Sequence, residues 1–567
     1  LEFWLTYQAE IINLTLLTSF YFLTWGFALT CKEFCIDDTE GVMPYSDRFV
    51  QTKDKDGKII KEEVIDYYEF EDDRYIPMGK YGPQVITKKE VGKKDDKPIY
   101  RNVLRCKNHH LNPYLEFAGI FLRWFRINWG RRFKVIGKNA KGHEVFGYVQ
   151  DPQKHHLLNL LTQYANVILA YFFLSKVFGQ EIAIMATILF AVYPLGCQTV
   201  AWISGVNYLF CLFGMLATYN SVVYLHSLWL TVPLTFIFTS FSCLTLLPGC
   251  FSFIILLLLG RWVEAGVAFL IGSLVVLNQG RQVISYRSKA FKAQNMGHQT
   301  PFELRKIFLM FKTIWYYFLL IPFPKRLGLF HKWGYHLEQK LLKFDFMFVK
   351  GLIVALVLIG LAIKGPFIIT FSLVWMFIYI AVFLNLITAQ QFVVDRYAFI
   401  PSFGYCIIVA YLLQNNLAIF SFLLGLYIMR TLVHLPTFKD QINFYMSNIF
   451  NFPDSEVAMG NLGVWLNEKG LKGMAADYWL KATQLNKFYD VPWYDLHTLH
   501  KQVGNYALAR DYLKNALDSK IVHFDEQWKK ELAELDHVIM LNQDMNQHIK
   551  NINKRMGEMD YERNRSF

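Results

Sequence analysis

One stretch decides the fold: residues His155 to Leu225, which read HHLLNLLTQYANVILAYFFLSKVFGQEIAIMATILFAVYPLGCQTVAWISGVNYLFCLFGMLATYNSVVYL. It is apolar almost throughout and too long for one core helix of a globular domain. Small or polar residues interrupt it at Phe178 to Gln180 and at Tyr193 to Gly196. Because one membrane crossing needs about 20 mostly apolar residues, the stretch predicts three crossings joined by short loops.

The composition indicates a membrane protein with soluble parts attached. Of 567 residues, 54% are hydrophobic and 18% are charged. The net charge of +12 does not indicate a nucleic-acid partner, because the basic residues are scattered near the ends of apolar runs, where they set membrane orientation. The eight cysteines predict no disulfide framework, because several of them lie in apolar stretches: Cys197, Cys211, Cys243, Cys250 and Cys406.

Apolar runs outside the central stretch predict further crossings. The first is Ile11 to Leu29. The later runs are Trp229–Leu247, Phe251–Leu259, Val263–Leu277, Ile307–Ile321, Met347–Ile363, Phe367–Leu386, Ile400–Leu413 and Leu417–Met429. Several are shorter than a full span, so we expect roughly ten to twelve crossings, with the short runs tilted, paired or re-entrant. Pro322 and Pro324 are expected to end the helix that carries Trp315 to Tyr317, because proline lacks a backbone donor.

Residues 32–154 contain no candidate span and predict a soluble, β-rich insertion. Short alternating runs flank two turn sequences, Lys55 to Lys58 and Asn139 to Gly142, which is typical of β-hairpins. The segment Pro113 to Trp129 is amphipathic and carries Arg and Trp. It either lies along the membrane surface or covers the core of the insertion itself.

A zinc site in this region is one interpretation of five residues that carry zinc-binding side chains: Cys31, Cys35, Cys106 and His109 or His110. Their spacings match no standard ligand pattern, so no metal site is predicted. The histidines also do not pair across crossings as a haem-ligand set would. These residues therefore do not indicate a particular cofactor.

Beyond Arg430 the chain becomes soluble and repeats itself. Five pairs of matching residues are each 34 positions apart: Leu462 and Leu496, Gly470 and Gly504, Ala475 and Ala509, Tyr478 and Tyr512, and Ala482 and Ala516. This is the period of tetratricopeptide repeats, which present a concave face to a protein partner. We expect flanking helices at Phe438 to Phe450 and Glu526 to Met556 to cap the stack. The candidate partner-binding residues are Leu462, Tyr478, Leu496 and Tyr512.

These patterns predict an α-helical polytopic membrane protein with a small β-rich insertion and a C-terminal α-solenoid. Residues 1–31 are the first transmembrane helix, 32–154 the soluble insertion and 155–430 the polytopic core. Residues 431–525 are the tetratricopeptide-like repeats, and 526–567 form a helical tail.

Four motifs in order give the chain a resemblance to a known family. They are HLLNLL at His156 to Leu161, FAVYP at Phe190 to Pro194, AWIS at Ala201 to Ser204 and DRYAFIPSFG at Asp395 to Gly404, followed by the repeats. This order resembles the GT-C type membrane glycosyltransferases that carry tetratricopeptide repeats, among them the transmembrane protein O-mannosyltransferases. The resemblance covers roughly residues 150 to 520 and the first crossing, and the order of motifs is more specific than any one motif.

The resemblance implies a chemistry. In the family, an acidic residue just after the first crossing acts as base on an acceptor hydroxyl or holds a divalent metal, and basic residues grip a polyprenyl-phosphate sugar. Asp37 and Asp38 stand where the paired aspartates of the family stand. Arg396, Arg101 and Arg123 are the candidate donor-phosphate residues.

Two charged positions of the family pattern are absent here. Asn112-Pro113 is the best match to the family's Arg-Pro, and Gly205 to Tyr208 stand where a charged triplet is usual. A neutral amide cannot replace a guanidinium that neutralises a lipid phosphate, unless Arg126 or another arginine of the insertion takes its place. Asp395-Arg396 is the charged signature that remains.

Simpler structural roles fit the same residues. Asp37 and Asp38 also fit solvated loop charges. Asp395 and Arg396 also fit an interfacial ion pair that seats a helix end, because charges near membrane ends often serve as anchors. The Trp315 to Tyr317 cluster is more typical of packing or of an interfacial belt than of a sugar-binding platform.

Two functions follow from these alternatives. One is a non-catalytic GT-C-like scaffold, a subunit of a larger membrane complex, with the repeats and the insertion docking partner subunits. The other is an active transferase that moves a mannose-like sugar from a polyprenyl-phosphate donor to protein Ser or Thr hydroxyls, with a divalent metal. The scaffold is favoured because charged positions are lost while the packing and repeat signals survive.

The location is an expectation of its own. The chain begins at Leu1, which fits a truncated chain, a processed precursor or a gene read from a non-AUG start, as in some organelle genomes. With the aromatic-rich composition, the last option favours a respiratory-chain assembly of the mitochondrial inner membrane. The alternatives are the endoplasmic reticulum and a bacterial inner membrane. Membrane lipid surrounds the core in each case.

Overall fold

A computed structural model describes residues 2–31, 48–53, 59–66, 125–126, 129–138, 144–293, 304–329, 331, 342–386, 393–519 and 525–565. Within these ranges the chain is an α-helical polytopic protein. Its helices, in chain order, are α1 Glu2–Trp25, α2 Pro152–Phe178, α3 Gln180–Ala191, α4 Cys197–Val200, α5 Val206–Tyr224, α6 Leu228–Thr245, α7 Ser252–Leu258, α8 Trp262–Ala293, α9 Lys306–Leu320, α10 Phe346–Lys364, α11 Phe367–Ala381, α12 Asp395–Leu413, α13 Leu417–His434, α14 Gln441–Asn451, α15 Glu456–Glu468, α16 Lys472–Leu485, α17 Asp490–Gln502, α18 Tyr506–Asp518 and α19 Asp525–Arg565.

Seven helical segments in the described residues are long and apolar enough to cross a membrane: Gln8–Thr30, Pro152–Phe178, Ile203–Tyr224, Leu228–Thr245, Phe346–Lys364, Asp395–Leu413 and Leu417–Phe438. The bent pair Gln180–Ala191 and Pro194–Val200 makes an eighth if it is one span. Three shorter apolar helices are Leu247–Leu258, Trp262–Leu277 and Phe367–Ala381. The expected ten to twelve crossings would require these short helices to cross as well, so that count stays a prediction.

The central stretch breaks where its sequence predicts. Helix α2 ends at Phe178, and Gly179 follows with a φ of +91°, a conformation that L side chains rarely adopt. Helix α3 ends at Ala191, and Pro194–Gly196 forms a 3₁₀ turn before α4, with a bend of 50° between the two parts. A second 3₁₀ turn, Ile203–Gly205, leads into α5. Almost every residue from 183 to 206 is buried, which shows that the helices around the bend are closely packed.

Four strands pair into one antiparallel sheet. They are β1 Arg48–Lys53, β2 Ile59–Asp66, β3 Arg131–Lys138 and β4 Glu144–Gln150. The order across the sheet is β2-β1-β4-β3, with Phe49 opposite Phe146 where the two halves join. The turn sequences between β1 and β2 and between β3 and β4 lie outside the described residues, as does most of the amphipathic segment Pro113 to Trp129.

The chain divides into two compact units. The first comprises residues 1–287, 300–331 and 339–452, and the second comprises 288–299, 332–338 and 453–567. The first unit holds the apolar helices and α14, the helix expected at Phe438 to Phe450. The helix ends near prolines behave as predicted, since α9 stops at Leu320, two residues before Pro322.

The second unit contains two helix pairs related by the sequence repeat. Helices α15 and α17 begin at Glu456 and Asp490, and α16 and α18 begin at Lys472 and Tyr506, so both pairs are offset by 34 residues. Gly470 and Gly504 adopt positive φ angles of +81° and +76° at the turns inside each pair. The repeated glycines are thus required by the two tight turns, and the N-terminal part of α19 packs against α18.

Candidate functional site

The candidate site is a group of polar residues in the first unit, which we name the Asp395 cluster: Asp395, Arg396, His331, Gln198 and Tyr317. Asp395 is the first residue of α12 and is 2% exposed. Its Oδ1 lies 2.7 Å from His331 Nε2, and its Oδ2 accepts a hydrogen bond of 2.7 Å from the amide of Gly328. Both carboxylate oxygens therefore bind the segment that follows α9.

Arg396 attaches the start of α12 to α4, and its neighbour Tyr397 packs on the segment that follows α11. The amide of Arg396 donates a 2.8 Å hydrogen bond to Gln198 Oε1, and Gln198 lies in α4. The Arg396 guanidinium lies 5.2 Å from the ring centre of Trp202 and 5.1 Å from that of Tyr397. Tyr397 in turn stacks on Phe383, with ring centres 4.0 Å apart. A guanidinium on aromatic faces is a favourable cation–π arrangement.

Tyr317 binds the backbone immediately before Asp395. Its hydroxyl accepts a 3.2 Å hydrogen bond from the amide of Val394 and donates a longer one, 3.4 Å, to the carbonyl of the same residue. Trp315, in the same helix, instead lies under the ammonium of Lys350 at 5.2 Å. Tyr317 thus contacts the backbone before α12, and Trp315 contacts a side chain of α10.

The segment after α9 has irregular backbone whose carbonyls are satisfied by side chains of other helices. The Tyr427 hydroxyl donates to Pro322 O at 2.8 Å, and Tyr193 donates to the carbonyl of Ile321. Arg430 donates to Pro324 O and Lys325 O, both at 3.0 Å. These contacts hold the backbone of residues 321–325 against Tyr193 and α13.

Asn159 performs the same task for the broken helix. It is 1% exposed, and its Nδ2 lies within hydrogen-bond distance of four carbonyls, the nearest being Trp202 O at 2.9 Å and Val200 O at 3.2 Å. A side chain at Gly205 would place its Cβ 2.6 Å from the carbonyl of Thr199, so only glycine fits there. Glycine at the first position of the expected charged triplet thus has a packing reason.

Further buried polar side chains lie beside this segment. His155 and His156 are 1% and 2% exposed at the start of α2. Arg126 is 4% exposed and donates a 3.3 Å hydrogen bond to Ile203 O. Arg126, one of the arginines considered as a replacement cation, therefore contacts the backbone of the segment that precedes α5.

Most of the residues implied by the family resemblance lie outside the described residues. This is the case for Asp37, Asp38, Arg101 and Arg123. Four residues of the zinc interpretation also lie outside the described residues: Cys35, Cys106, His109 and His110. Cys31 is described and is buried. Within the described residues, no group of three or more His, Cys, Asp or Glu could hold a metal ion.

A second buried charge lies at the junction of α9 and α10. Lys312 is fully buried, and its Nζ lies 2.6 Å from Asp345 Oδ2 and 2.7 Å from Lys343 O. Asp345 also caps α10 by accepting from the amides of Met347 and Phe348. Partial burial by itself raises the pKa of Asp345, but the Lys312 ammonium and the two amides outweigh it and hold the pKa below its usual value. The contact between Lys312 and Asp345 therefore joins the two helices.

The four candidate partner-binding residues of the second unit differ in accessibility. Leu462 and Leu496 are fully buried inside the helix pairs, so they support the repeats from within and cannot themselves contact a partner. Tyr478 and Tyr512 are half-buried. Tyr512 stacks on Trp493 and lies 5.2 Å from the His500 ring, and Tyr478 carries Lys481 over its ring at 5.1 Å.

Sequence reasoning did not identify His331, Gln198 or Asn159. Gln198 and Asn159 are polar residues inside an apolar run, which is the available signal, because such residues are rare at membrane depth and usually have a specific partner. His331 lies between apolar runs and carries no such signal. The partners themselves are distant in sequence: Asp395 is 64 residues from His331, and Arg396 is 198 residues from Gln198.

Comparisons with models of protein families, with curated proteins and with solved structures find no match to this chain.

Proposed function

We propose that this chain is a non-catalytic membrane scaffold with a GT-C-like core, and that it is a subunit of a larger membrane complex. The observation that carries the proposal is the burial of Asp395, the acidic residue of the charged signature, and the contacts of its carboxylate. It is 2% exposed, and its two oxygens bind His331 and the amide of Gly328. A carboxylate bound through both oxygens to another segment of the chain has a structural role, and this is what the proposal rests on. The residues that the resemblance implies as the base, Asp37 and Asp38, lie outside the described residues.

Arg396 supports the same role. A donor-phosphate residue offers its guanidinium to the ligand, whereas this guanidinium lies over the rings of Trp202 and Tyr397 while the amide of the same residue binds Gln198. Such an arrangement fastens α12 to α4. The charged signature thus stabilises a helix junction, which is the role that charges near membrane ends often have.

The helix pairs of the second unit support partner docking. Their 34-residue offset fits tetratricopeptide repeats, whose stacked pairs bind protein segments. Met474 and Leu508 are 34 residues apart in α16 and α18, and they are 51% and 40% exposed. Apolar side chains exposed at equivalent positions of successive repeats are typical of a protein-binding surface. The β-rich insertion is the second proposed docking element.

The specific version of the proposal places the scaffold in a respiratory-chain assembly of the mitochondrial inner membrane. The seven apolar helices are compatible with an integral membrane protein in any membrane. Support for this one comes from the hydrophobic, aromatic-rich composition, with 17% of residues aromatic.

Variants of the exposed repeat residues test the docking surface. We expect Met474→Glu combined with Leu508→Glu to release the chain from its complex on native separation after mild-detergent extraction. Lys472→Glu is the matched control, because it changes an exposed residue about 160° around the same helix. Loss of the complex with the control as well, or retention with both, would contradict docking through this face.

The second candidate is an active transferase of polyprenyl-phosphate sugars. The observation in its favour is the set of buried polar side chains around the irregular segment 192–205, including His155, His156 and Arg126, since polar groups at membrane depth often mark functional sites. Sugar transfer to a Ser- or Thr-containing peptide by the purified chain, lost in Asp37→Asn or Asp38→Asn, would establish this candidate and exclude the scaffold. No transfer by the wild-type chain above the level of a reaction without protein would exclude it.

A further inference from the structure

Helix α19 continues far beyond the repeats that it packs against. Trp528 and Leu535 are 3% and 2% exposed, and they pack with Leu513 and Ala516 of α18. An ion pair of Arg510 with Asp536 marks the end of this packed part. From residue 540 to 565 the helix runs on for about seven turns, or about 39 Å.

This continuation carries an exposed apolar stripe. Six apolar side chains are between 44% and 58% exposed: Met540, Leu541, Met545, Ile549, Ile552 and Met556. A helix in water obtains most of its stability from packing an apolar face against a partner. Among the described residues, none covers this stripe.

The stripe follows a heptad repeat. Val538, Met545 and Ile552 occupy d positions, and Asn542, Ile549 and Met556 occupy a positions. Between residues 542 and 556 all other positions are polar or charged, whereas Ile539, Met540 and Leu541, where the stripe begins, occupy e, f and g positions. From Met545 to Met556 the apolar residues occupy only a and d positions, which is typical of the narrow seam of a coiled coil.

We propose that α19 forms a parallel two-stranded coiled coil with the same helix of a second copy of this chain. Asn542 is the first argument. In a parallel pair, position a faces position a, so each Asn542 amide meets its counterpart, as polar a residues that set register and strand number do. In an antiparallel pair, position a faces an apolar d residue, and the buried amide would lose its partner at a cost of about 1–3 kcal/mol.

The flanking charges are the second argument. Arg555 occupies a g position, and the sequence has Asp560 at the following e position. Residues at g and the next e of the other strand lie side by side in a parallel coiled coil, so two copies bring opposite charges together. The other flanking positions, Asn546, His548 and Asn553, bring no like charges together. The helix is therefore complementary to itself.

Cysteine cross-linking of the full chain in its native membrane tests this proposal. Ile549→Cys, at an a position, is expected to give an oxidised dimer of twice 66.5 kDa that reduction reverses. Gln547→Cys, at an f position on the opposite side, is the matched control and is expected to give severalfold less dimer. The wild-type chain under the same oxidation measures the background from its own cysteines. Two differently tagged copies, expressed together, show whether the dimer contains two copies of this chain.

Three outcomes would overturn the proposal. One is an equal dimer yield from Ile549→Cys and Gln547→Cys, and another is a cross-link of Ile549→Cys to a different protein. The third is no dimer from either variant, with protection of the stripe by lipid, which would assign α19 to the membrane surface. The doubly substituted Ile549→Asp, Ile552→Asp chain provides a second measurement. It is expected to halve the protein mass of the detergent-extracted particle if the particle contains only this chain, and to abolish co-purification of the two tagged copies in any complex.

Discussion

Oδ1 of Asp395 lies 2.7 Å from Nε2 of His331, although the two residues are 64 positions apart and belong to segments on either side of α10 and α11. The contact closes the chain between α9 and α12 around a helical hairpin. The amide of Gly328 binds the other carboxylate oxygen, Oδ2. Because each oxygen has a partner, the two contacts hold the start of α12 in place. Asp395 thus makes the contacts of a structural joint between the segment after α9 and the start of α12.

Replacement of Asp395 tests this joint. Asp395→Ala is expected to lower the thermal stability of the detergent-solubilised chain, because it leaves the Gly328 amide and the His331 ring without their partner, each at about 1–3 kcal/mol. Asp395→Asn keeps an acceptor of the same shape, so a smaller loss is expected. Equal stability of the wild type and Asp395→Ala would contradict a structural role.

Asn159 gives a prediction for the broken helix. Asn159→Leu is nearly isosteric but removes the donor that serves the carbonyls of Val200 and Trp202, and we expect a loss of about 2 kcal/mol or more in stability. Leu161→Ala, at a 43% exposed position of the same helix, is the control and should change little. Thermal unfolding in one detergent compares the two. A loss no larger for Asn159→Leu than for Leu161→Ala would show that the amide is dispensable.

Two glycine substitutions in the second unit should have opposite effects. A Cβ at Gly463 would overlap the indole of Trp479, which is fully buried and donates to Gly460 O, so Gly463→Ala is expected to destabilise by about 1–3 kcal/mol. A Cβ at Gly473 meets no atom within 4 Å, so Gly473→Ala is expected to stabilise by about 0.5 kcal/mol. Hydrogen exchange of the α15 and α16 amides measures both. The same sign for the two variants would contradict the packing.

The stability of the second unit should depend on acid through Glu531. A hydrogen bond from His497 is the main reason that the pKa of Glu531 is lowered to about 2, with Lys501 contributing at 2.6 Å. An unfolded Glu has a pKa of about 4.3. Since the folded pKa is the lower one, the stabilisation is complete above about pH 4.3 and is lost as the pH falls towards 2.

Hydrogen exchange of the α17 amides, corrected for the intrinsic rate at each pH, measures this loss. Glu531→Gln should weaken protection at neutral pH and flatten its dependence between pH 4.3 and 2. The exposed Glu534, changed to Gln, is the control and should leave the wild-type curve unchanged. A curve for Glu531→Gln that coincides with that of the wild type would show that this carboxylate does not couple folding to protons.

Local sequence patterns predicted where the helices begin and end, but they did not predict which residues of different helices contact each other. The breaks at Gly179 and Pro194 follow from backbone chemistry that acts within a few residues, and the turn at Gly470 repeats at Gly504. The Asp395–His331 contact depends on how separate helices pack. No spacing rule reports such packing, and His331 looks like an ordinary loop residue in the sequence.

The same limit applies to the partner-binding residues. The 34-residue spacing singles out Leu462 and Leu496 because repeats keep the residues on which their helix pairs depend, and those residues are buried. A docking surface consists of exposed side chains that vary more freely. Met474 and Leu508 became visible as candidates only once their exposure was known.

The most direct test of the scaffold is native separation of membranes after mild-detergent extraction, with identification and quantification of the proteins that travel with this chain. The account predicts comigration with a large membrane assembly at a fixed stoichiometry, unchanged when Asp37 or Asp38 is replaced by Asn. Migration of the chain without other proteins, together with transfer of sugar from a polyprenyl-phosphate donor, would contradict it.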